Sequence, residues 1–315
     1  MKSFIKTAVA VTAMAATMAT SALAEGWKPE GPIKLIIAFA AGGGADTQAR
    51  LIADEVTAAT GWEVIPEQVT GKGGVNALAA LKDMPNDGTA IAMVVTESMG
   101  YNLAGAKDSG MTPADFTPLT TTAGFQMGVV SKSDKGWTTF ADVISAAKGG
   151  QEIRFGTMSP RLSDLAFLLA EANDVEFNIV QVKGGKAVLN GVNAGDMDLG
   201  FMAGIQAKGV AAGELVNLAS ALSTPLKQTP EAPLIGDLGV AYNSDGYFMF
   251  AAPAGLSDEA RSSLTDALVA AANSGKANGM ITKAFGGAVT ITGADLDALV
   301  NAAYDESGAL MEAAQ

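Results

Sequence analysis

Neither cysteine nor histidine occurs in this chain of 315 residues. Their absence excludes Ser-His-Asp and Cys-His catalytic systems, and it excludes zinc sites built from nitrogen and sulfur ligands. Disulfide bonds are excluded as well, so the fold must be stabilised by packing. We therefore expect no catalytic residue, no metal site and no cofactor.

Positive charge is also scarce, because 20 Lys and Arg residues face 33 Asp and Glu residues and the formal net charge is −13. A chain this acidic does not suit a nucleic-acid backbone, so we expect no nucleic-acid partner. A small anion is still a possible ligand. Salt screens distant charges, and local N–H groups with a few lysines then decide binding.

Long apolar runs are confined to the N-terminus. Lys2 and Lys6 are followed by the apolar run of residues 7–20 and then by Ala22-Leu23-Ala24. This order is typical of a secretory signal peptide, and the run is too short for a membrane anchor. We predict a signal peptide over residues 1–24, cleavage after Ala24 and a periplasmic product, whose net charge becomes −15 when the two lysines are lost.

Strand and helix candidates alternate along the rest of the chain, which predicts an α/β fold with parallel strands. The first unit joins the apolar run Ile33 to Phe39, the glycines of residues 42–44 and an amphipathic helix. Glycine lets the backbone approach a ligand closely, and the first N–H groups of a helix have no intrahelical partner. A carboxylate or phosphate fits there, although the same turn also occurs for tight packing alone.

Three further predicted strands end in loops rich in glycine or hydroxyl groups, at residues 71–74, 157–159 and 183–185. Ligands of open α/β sheets bind outside the carboxyl ends of the strands. Together with the first turn, these loops predict one shared cleft.

Residues 32–46 read PIKLIIAFAAGGGAD, which follows the pattern P-I-[KR]-[LIV]-I-V-P-F-x-[AP]-G-G-x-x-D. That pattern opens the periplasmic solute receptors of tripartite tricarboxylate transporters, also called Bug proteins. Residues 67–74, EQVTGKGG, match the second family loop, E-N-x-P-G-A-G-G. Shorter matches follow in order at residues 85–89, 115–118, 182–185, 195–199 and 252–255. The chain therefore resembles this family over nearly its whole length after the leader.

The resemblance implies an α/β fold of the type II periplasmic-binding-protein kind, with two mixed sheets flanked by helices and a ligand cleft between two lobes. Lobe 1 is expected at residues 25–122 plus 226–315, and lobe 2 at residues 123–225. The implied function is a monomeric receptor for a small mono-, di- or tricarboxylate, aromatic acids included. It delivers the acid to the membrane permease subunits of a tripartite tricarboxylate-type transporter.

The resemblance also assigns the ligand contacts. In this chain they fall on Phe39, Gly43, Gly44, Ala45, Asp46, Gly73 and Gly74 in lobe 1, and on Thr157, Ser159, Lys183 and Gly184 in lobe 2. Lys72 stands where the family commonly has Ala and adds a positive charge beside the carboxylate site. Met202 replaces a frequent Asp and makes the far side of the pocket more apolar.

Other roles for these residues stay open at this point. Asp46 fits a structural role in the first helical turn, or contact with a ligand amine or hydroxyl. Thr157 and Ser159 fit helix caps, and Lys72 and Lys183 fit either solvated charges or ligand contacts. Two other functions are also weighed: a ligand sensor for a membrane signalling protein, and an enzyme on the same fold with Asp46 or Lys183 as base.

Overall fold

The computed structural model describes residues 26–315, so the predicted signal peptide lies outside the described residues. The described part contains ten strands and twelve α-helices. The strands are β1 (Ile33–Ile37), β2 (Val64–Gln68), β3 (Ala90–Val95), β4 (Phe116–Gly124), β5 (Met127–Lys132), β6 (Arg154–Thr157), β7 (Asn178–Gln181), β8 (Leu199–Ala203), β9 (Leu215–Ser220) and β10 (Tyr247–Pro253).

The helices surround two sheets. They are α1 (Gly44–Thr60), α2 (Val75–Lys82), α3 (Thr96–Met99), α4 (Tyr101–Gly105), α5 (Phe140–Lys148), α6 (Pro160–Glu171), α7 (Gly185–Ala194), α8 (Ala207–Ala211), α9 (Asp258–Ala272), α10 (Gly275–Phe285), α11 (Gly293–Asp305) and α12 (Ser307–Ala313). No helix among residues 26–315 combines the length and the apolar character needed to cross a membrane.

Each sheet has five strands and the same plan. The first sheet has the order β2-β1-β3-β10-β4, and the second has the order β7-β6-β8-β5-β9. Four strands of each sheet run in the same direction, while β10 and β5 run antiparallel to both of their neighbours. The expected two-lobed α/β fold with two mixed sheets is confirmed. We call the first sheet with α1–α4 and α9–α11 lobe 1, and the second sheet with α5–α8 lobe 2.

The alternation of side chains along β1 explains how lobe 1 forms. Leu35 and Ile37 pack on the side of α1, whereas Ile36 belongs to a separate cluster with Leu78 and Leu81 of α2. All of them are at least 99% buried, and each such side chain contributes about 1.5–3 kcal/mol. Helices on both faces therefore hold β1 in place and fix where its carboxyl end opens.

The chain passes between the lobes at two adjacent points. The first crossing is Phe125-Gln126, between β4 and β5, and the second is the segment of residues 221–246 between β9 and β10. The two crossings touch, because the N–H group of Phe125 donates to the carbonyl of Gly246 at 2.9 Å. Helix α12 contacts both α4 of lobe 1 and α6 of lobe 2.

Several sequence predictions of single elements are wrong. The sequence predicts a short strand over residues 288–291, but these residues belong to neither sheet. They lie beside β4, where the N–H group of Val289 donates to the carbonyl of Thr122 at 3.1 Å. The helix expected over residues 294–314 is divided at Glu306 into α11 and α12. The nine-residue strand β4 was not predicted, because its TPLTTTAG segment has no apolar alternation.

Candidate functional site

A cavity lies between the lobes at the carboxyl ends of β1, β3, β6 and β8. We call it the cleft cavity. Its walls are Phe39, Ala40, Gly43, Gly44, Ala45, Val95, Glu97, Phe125, Met127, Met158, Ser159, Leu162, Gly185, Ala203, Ile205 and Phe248. The loops of both lobes converge there, as expected for this edge of an α/β sheet.

The N-terminus of α1 forms one wall of the cleft cavity. Gly43 is the N-cap residue, with extended backbone and no capping side chain. Its own N–H group donates to the carbonyl of Ala40 at 3.2 Å. The first intrahelical hydrogen bond runs from the N–H group of Thr47 to the carbonyl of Gly43 at 2.9 Å. The N–H groups of Gly44 and Ala45 therefore have no intrahelical acceptor, and they carry the positive end of the helix dipole. A carboxylate in the cavity can accept hydrogen bonds from them.

Asp46 supports this turn from inside. One carboxylate oxygen accepts from the N–H group of Gly42 at 2.8 Å. The other accepts from Nε of Arg50 at 2.8 Å and from Nε2 of Gln68 at 3.2 Å. Gln68 also donates to the carbonyl of Phe39 at 3.2 Å. Asp46 is 4% exposed and is not a wall of the cleft cavity, so its visible role is to hold the glycine turn.

Aromatic rings build the floor of the cavity. Phe125 and Phe248 meet edge to face with ring centroids 5.1 Å apart, and Phe248 lies 4.8 Å from Phe285 of α10. A Cβ atom added at Gly44 would lie 3.0 Å from the edge of Phe285, and one added at Gly204 would lie 2.5 Å from it. The ring of Phe285 therefore contacts glycines of both lobes behind the cavity.

Glu97 is a buried acid in the cavity wall that the sequence analysis did not select. It is 4% exposed and lies in α3, directly after the buried strand β3. Its Oε1 accepts from Nδ2 of Asn102 at 3.2 Å and from Oγ of Ser159 across the cleft. The signal was present in the sequence, since a polar triplet, Thr96-Glu97-Ser98, follows an apolar strand at the edge where ligands bind.

The second glycine loop is held by its neighbours. The N–H group of Gly74 donates to Gly71 at 3.0 Å, and the carbonyl of Gly73 accepts from Oγ of Ser98 at 2.7 Å and from Nδ2 of Asn102 at 3.1 Å. This loop does not line the cleft cavity. It lines a neighbouring opening, together with Lys72, Lys183 and Gly184.

Phe39 and Met158 line both spaces and so lie between them. The lobes also touch there, because a Cβ atom added at Gly184 would lie 3.5 Å from Cβ of Phe39. Lys72 and Lys183 are exposed, and no ion pair among residues 26–315 includes either of them. We call this space the lysine opening.

Three expected residues of lobe 2 differ in position. Ser159 is a cavity wall and caps α6, where its Oγ accepts from the N–H group of Leu162 at 3.2 Å. Thr157 is fully buried, and its hydroxyl lies 2.8 Å from that of Ser163. Met202 is also fully buried, in the cluster that contains Val130 and Val188. Neither Thr157 nor Met202 lines the cleft cavity or the lysine opening.

A second hydrogen bond crosses between the lobes at the hinge side. The hydroxyl of Tyr101 in α4 donates to Oδ2 of Asp164 in α6. Burial raises the pKa of Tyr101 well above its usual range, and the bond to Asp164 adds to that shift. Burial also raises the pKa of the Asp164 carboxyl, against the effect of the Tyr101 hydrogen bond. The two lobes are thus joined by two side-chain hydrogen bonds, from Ser159 to Glu97 and from Tyr101 to Asp164.

Comparison with known sequences identifies relatives along most of the chain. The family model described as "Tripartite tricarboxylate transporter family receptor" matches residues 48–315. A UPF0065 protein of Cupriavidus necator, from the gbd 5′ region, is 27% identical over 245 residues, which are 76% of this chain and 74% of that protein. A UPF0065 protein of Agrobacterium vitis, from the TAR-I ttuE-ttuC′ intergenic region, is 27% identical over 201 residues; the match spans 61% of this chain and 56% of that protein.

Solved structures share the fold. The periplasmic binding protein BugD superimposes with a TM-score of 0.79 at 20% identity, over 91% of this chain and 98% of that chain. A Rhodopseudomonas palustris protein with adipate has a TM-score of 0.79 and is 24% identical; the match covers 91% of this chain and 98% of that chain. MatC of the same organism, with bound malate, has a TM-score of 0.78 and is 18% identical; the match covers 91% of this chain and 100% of that chain.

Proposed function

The chain belongs to the tripartite tricarboxylate transporter receptor family, and we propose that it binds a small organic carboxylate in the cleft cavity and delivers it to a membrane permease of that transporter type. One observation carries the proposal: the uncapped N-terminus of α1, with the N–H groups of Gly44 and Ala45, opens into a cavity enclosed by both lobes. Each such hydrogen bond to a carboxylate contributes about 1.5–3 kcal/mol.

The bound acids of the solved relatives agree with this chemistry, since adipate and malate are both dicarboxylates. We place the ligand carboxylate at Gly43, Gly44 and Ala45, with Ser159 on the opposite wall. Lys72 and Lys183 lie at the lysine opening, where they attract an incoming anion. The proposed lobes are residues 25–122 plus 226–315 and residues 123–225, closing about the two crossings.

The proposal includes export and a non-catalytic role. Cleavage after Ala24 releases a periplasmic monomer, which mass spectrometry of the protein purified from the periplasm tests directly. An enzyme needs a nucleophile or an acid–base pair, and the cavity wall offers only Glu97 among ionisable side chains. We therefore expect stoichiometric binding with no chemical change in the acid.

The test is ligand-dependent stabilisation. The purified chain is heated with a broad panel of mono-, di- and tricarboxylates, hydroxy acids, amino acids and aromatic acids, and each acid that raises the melting temperature is measured by calorimetry. We expect one chemical class to stabilise the chain at a stoichiometry of one. A flat response across the whole panel would exclude the proposal.

A matched pair of proline variants locates the carboxylate. Gly44→Pro removes one N–H donor at the first position of α1, where Gly43 is already extended. Gly44→Ala adds the same Cβ atom beside Phe285 but keeps the N–H group, and so controls for the steric contact. Asp258→Pro makes the same change at the first position of α9, far from the cleft. We expect Gly44→Pro to bind about tenfold more weakly than Gly44→Ala, and Asp258→Pro to bind as tightly as the wild type. Equal affinities would move the carboxylate away from α1.

A further inference from the structure

Glu97 is the one ionisable side chain of the cleft cavity, and it is 4% exposed. Its two hydrogen-bond partners both donate to the same oxygen. Oδ1 of Asn102 accepts from the N–H group of Arg161 at 3.4 Å, which turns Nδ2 of Asn102 towards Oε1 of Glu97. Oγ of Ser159 already accepts from the N–H group of Leu162, so its proton is available for Glu97.

The other oxygen of Glu97 is unused. Among residues 26–315 no side chain or N–H group donates to Oε2, and no ion pair includes Glu97. The guanidinium of Arg161, whose backbone N–H group bonds to Asn102, donates instead to the carbonyls of Asn243 and Asp245. Burying a carboxylate without a cationic partner costs free energy, so the cavity lacks a positive charge that would balance Glu97.

The rest of the cavity wall is apolar, apart from the backbone of the glycine turn and Oγ of Ser159. Val95, Phe125, Met127, Leu162, Ile205 and Phe248 supply the side chains. A ligand with only carboxylate groups satisfies α1 but brings a second negative charge into the space that Glu97 occupies. Like charges in a low-dielectric site repel strongly.

We infer that the ligand is a zwitterion: an amino acid with an apolar side chain, whose ammonium group binds Oε2 of Glu97 while its carboxylate binds the N-terminus of α1. The apolar side chain packs against Phe125, Met127 and Phe248. The inference rests on the proposed function, because it names the acid that this receptor takes. Glu97 is accordingly the residue that selects amino acids over other acids.

The test uses acids that differ only at the group facing Glu97. The best apolar amino acid of the panel, its 2-hydroxy analogue and its deaminated analogue are each titrated into the wild-type chain and into Glu97→Gln. Glu176→Gln removes one exposed carboxylate at the amino end of β7, away from the cleft, and controls for net charge. Thermal unfolding without ligand shows whether each variant folds.

In the wild type we expect the amino acid to bind at least about thirtyfold more tightly than the deaminated acid, the size of effect seen for a buried charge pair. In Glu97→Gln that preference disappears, and the deaminated acid binds as well as in the wild type or better, because a like charge is gone. Glu176→Gln keeps the wild-type preference.

Two results overturn the inference while leaving the receptor function intact. One is a deaminated or hydroxy acid that binds the wild type as tightly as the amino acid. The other is a Glu97→Gln variant that folds normally and retains the preference for the amino acid. If no acid of any class stabilises the wild type, the proposed function itself fails, and the two failures are therefore distinguishable.

Discussion

Two buried carboxylates lie near the cleft, and the protein neutralises them differently. Asp46 and Glu97 are each 4% exposed. Asp46 has a cation, Arg50, and two further donors, so both of its oxygens are used. Glu97 has neutral donors on one oxygen and none among the described residues on the other. The first arrangement stabilises the fold, whereas the second leaves a charge for a ligand to complete.

Asp46→Ala is expected to lower the free energy of unfolding by about 2 kcal/mol, because it removes charge-assisted hydrogen bonds to Gly42, Arg50 and Gln68. It also frees the glycine turn that presents α1 to the cavity. Urea unfolding measures the loss. Asp54→Ala changes an exposed acid on the same helix and should stay within about 0.5 kcal/mol of the wild type. A similar loss for both variants would contradict the role given to Asp46.

The sequence predicted the glycine turn but not the acid opposite it. Gly43, Gly44 and Ala45 were found because consecutive glycines between a strand and a helix carry a local signal. Glu97 follows a strand without glycine, and its burial depends on Ser159, which is 62 residues away. Met202 was selected from a resemblance in position, and its side chain points into the core of lobe 2.

Among the elements, the turn before α2 shows why glycine is required at one position. Gly74 has φ +100°, and an added Cβ atom would lie 2.3 Å from Oγ of Ser98, which is fully buried. Gly61, after α1, has φ +75° and open space around it. Comparing alanine variants at the two positions therefore separates the cost of the left-handed backbone conformation from the cost of a steric clash.

We expect Gly61→Ala to destabilise the chain by about 1 kcal/mol, the cost of left-handed backbone for a residue with Cβ. Gly74→Ala should cost about 3 kcal/mol or more, since it also displaces Ser98 and the hydrogen bond to the carbonyl of Gly73. Chemical denaturation of both variants provides the comparison. Equal losses would show that Ser98 moves without penalty.

A charged cluster joins three elements of lobe 2. Asp198, before β8, is 2% exposed and accepts from Arg154 of β6 at 3.0 Å and from Lys135 at 2.5 Å. Burial raises the pKa of the Asp198 carboxyl, but the hydrogen bonds from Arg154 and Lys135 outweigh burial and lower the pKa to about 2. Between pH 2 and pH ~4, this carboxylate is therefore more ionised in the folded chain than in the unfolded chain.

The consequence is a defined pH window. Above pH ~4 the carboxyl is ionised in both states and its stabilisation is complete. As pH falls towards 2, the unfolded state binds the proton first, so the free energy of unfolding decreases. Asp198→Asn should be less stable than the wild type at pH 7 and should lose less stability between pH 4 and 2. Parallel curves for the two proteins would rule out this contribution.

Helices and strands were predicted correctly where the local sequence pattern determines them, and were missed where packing against another element determines them. The short apolar stretch after the second glycine loop predicts a helix over residues 75–82, which are the observed bounds of α2, and Ser257 before two acidic residues predicts the observed cap of α9. Strand β4 was missed because its threonines are buried by pairing with β10 and not by an apolar pattern. The break at Glu306 also depends on packing, since α12 turns to contact α4 and α6.

At the scale of the molecule, the two lobes meet through few polar contacts. Ser159 bonds to Glu97 beside the ligand space, and Tyr101 bonds to Asp164 nearer the hinge. Ligand-driven closure requires contacts that exist only when both lobes are engaged. The Ser159 contact depends on an acid that the ligand also binds, whereas the Tyr101 contact is independent of the cavity.

Tyr101→Phe therefore tests closure apart from ligand contact. The variant keeps the ring but removes the donor to Asp164, so we expect the closed form to lose about 1 kcal/mol and the ligand affinity to fall about fivefold. Small-angle scattering should show a larger radius of gyration at subsaturating ligand. Tyr304→Phe is the control, because the Tyr304 hydroxyl has no hydrogen bond within residues 26–315. Unchanged affinity with an unchanged radius would mean that the lobes stay together by their apolar contacts, and the rank order of acids set by Glu97 should persist in either case.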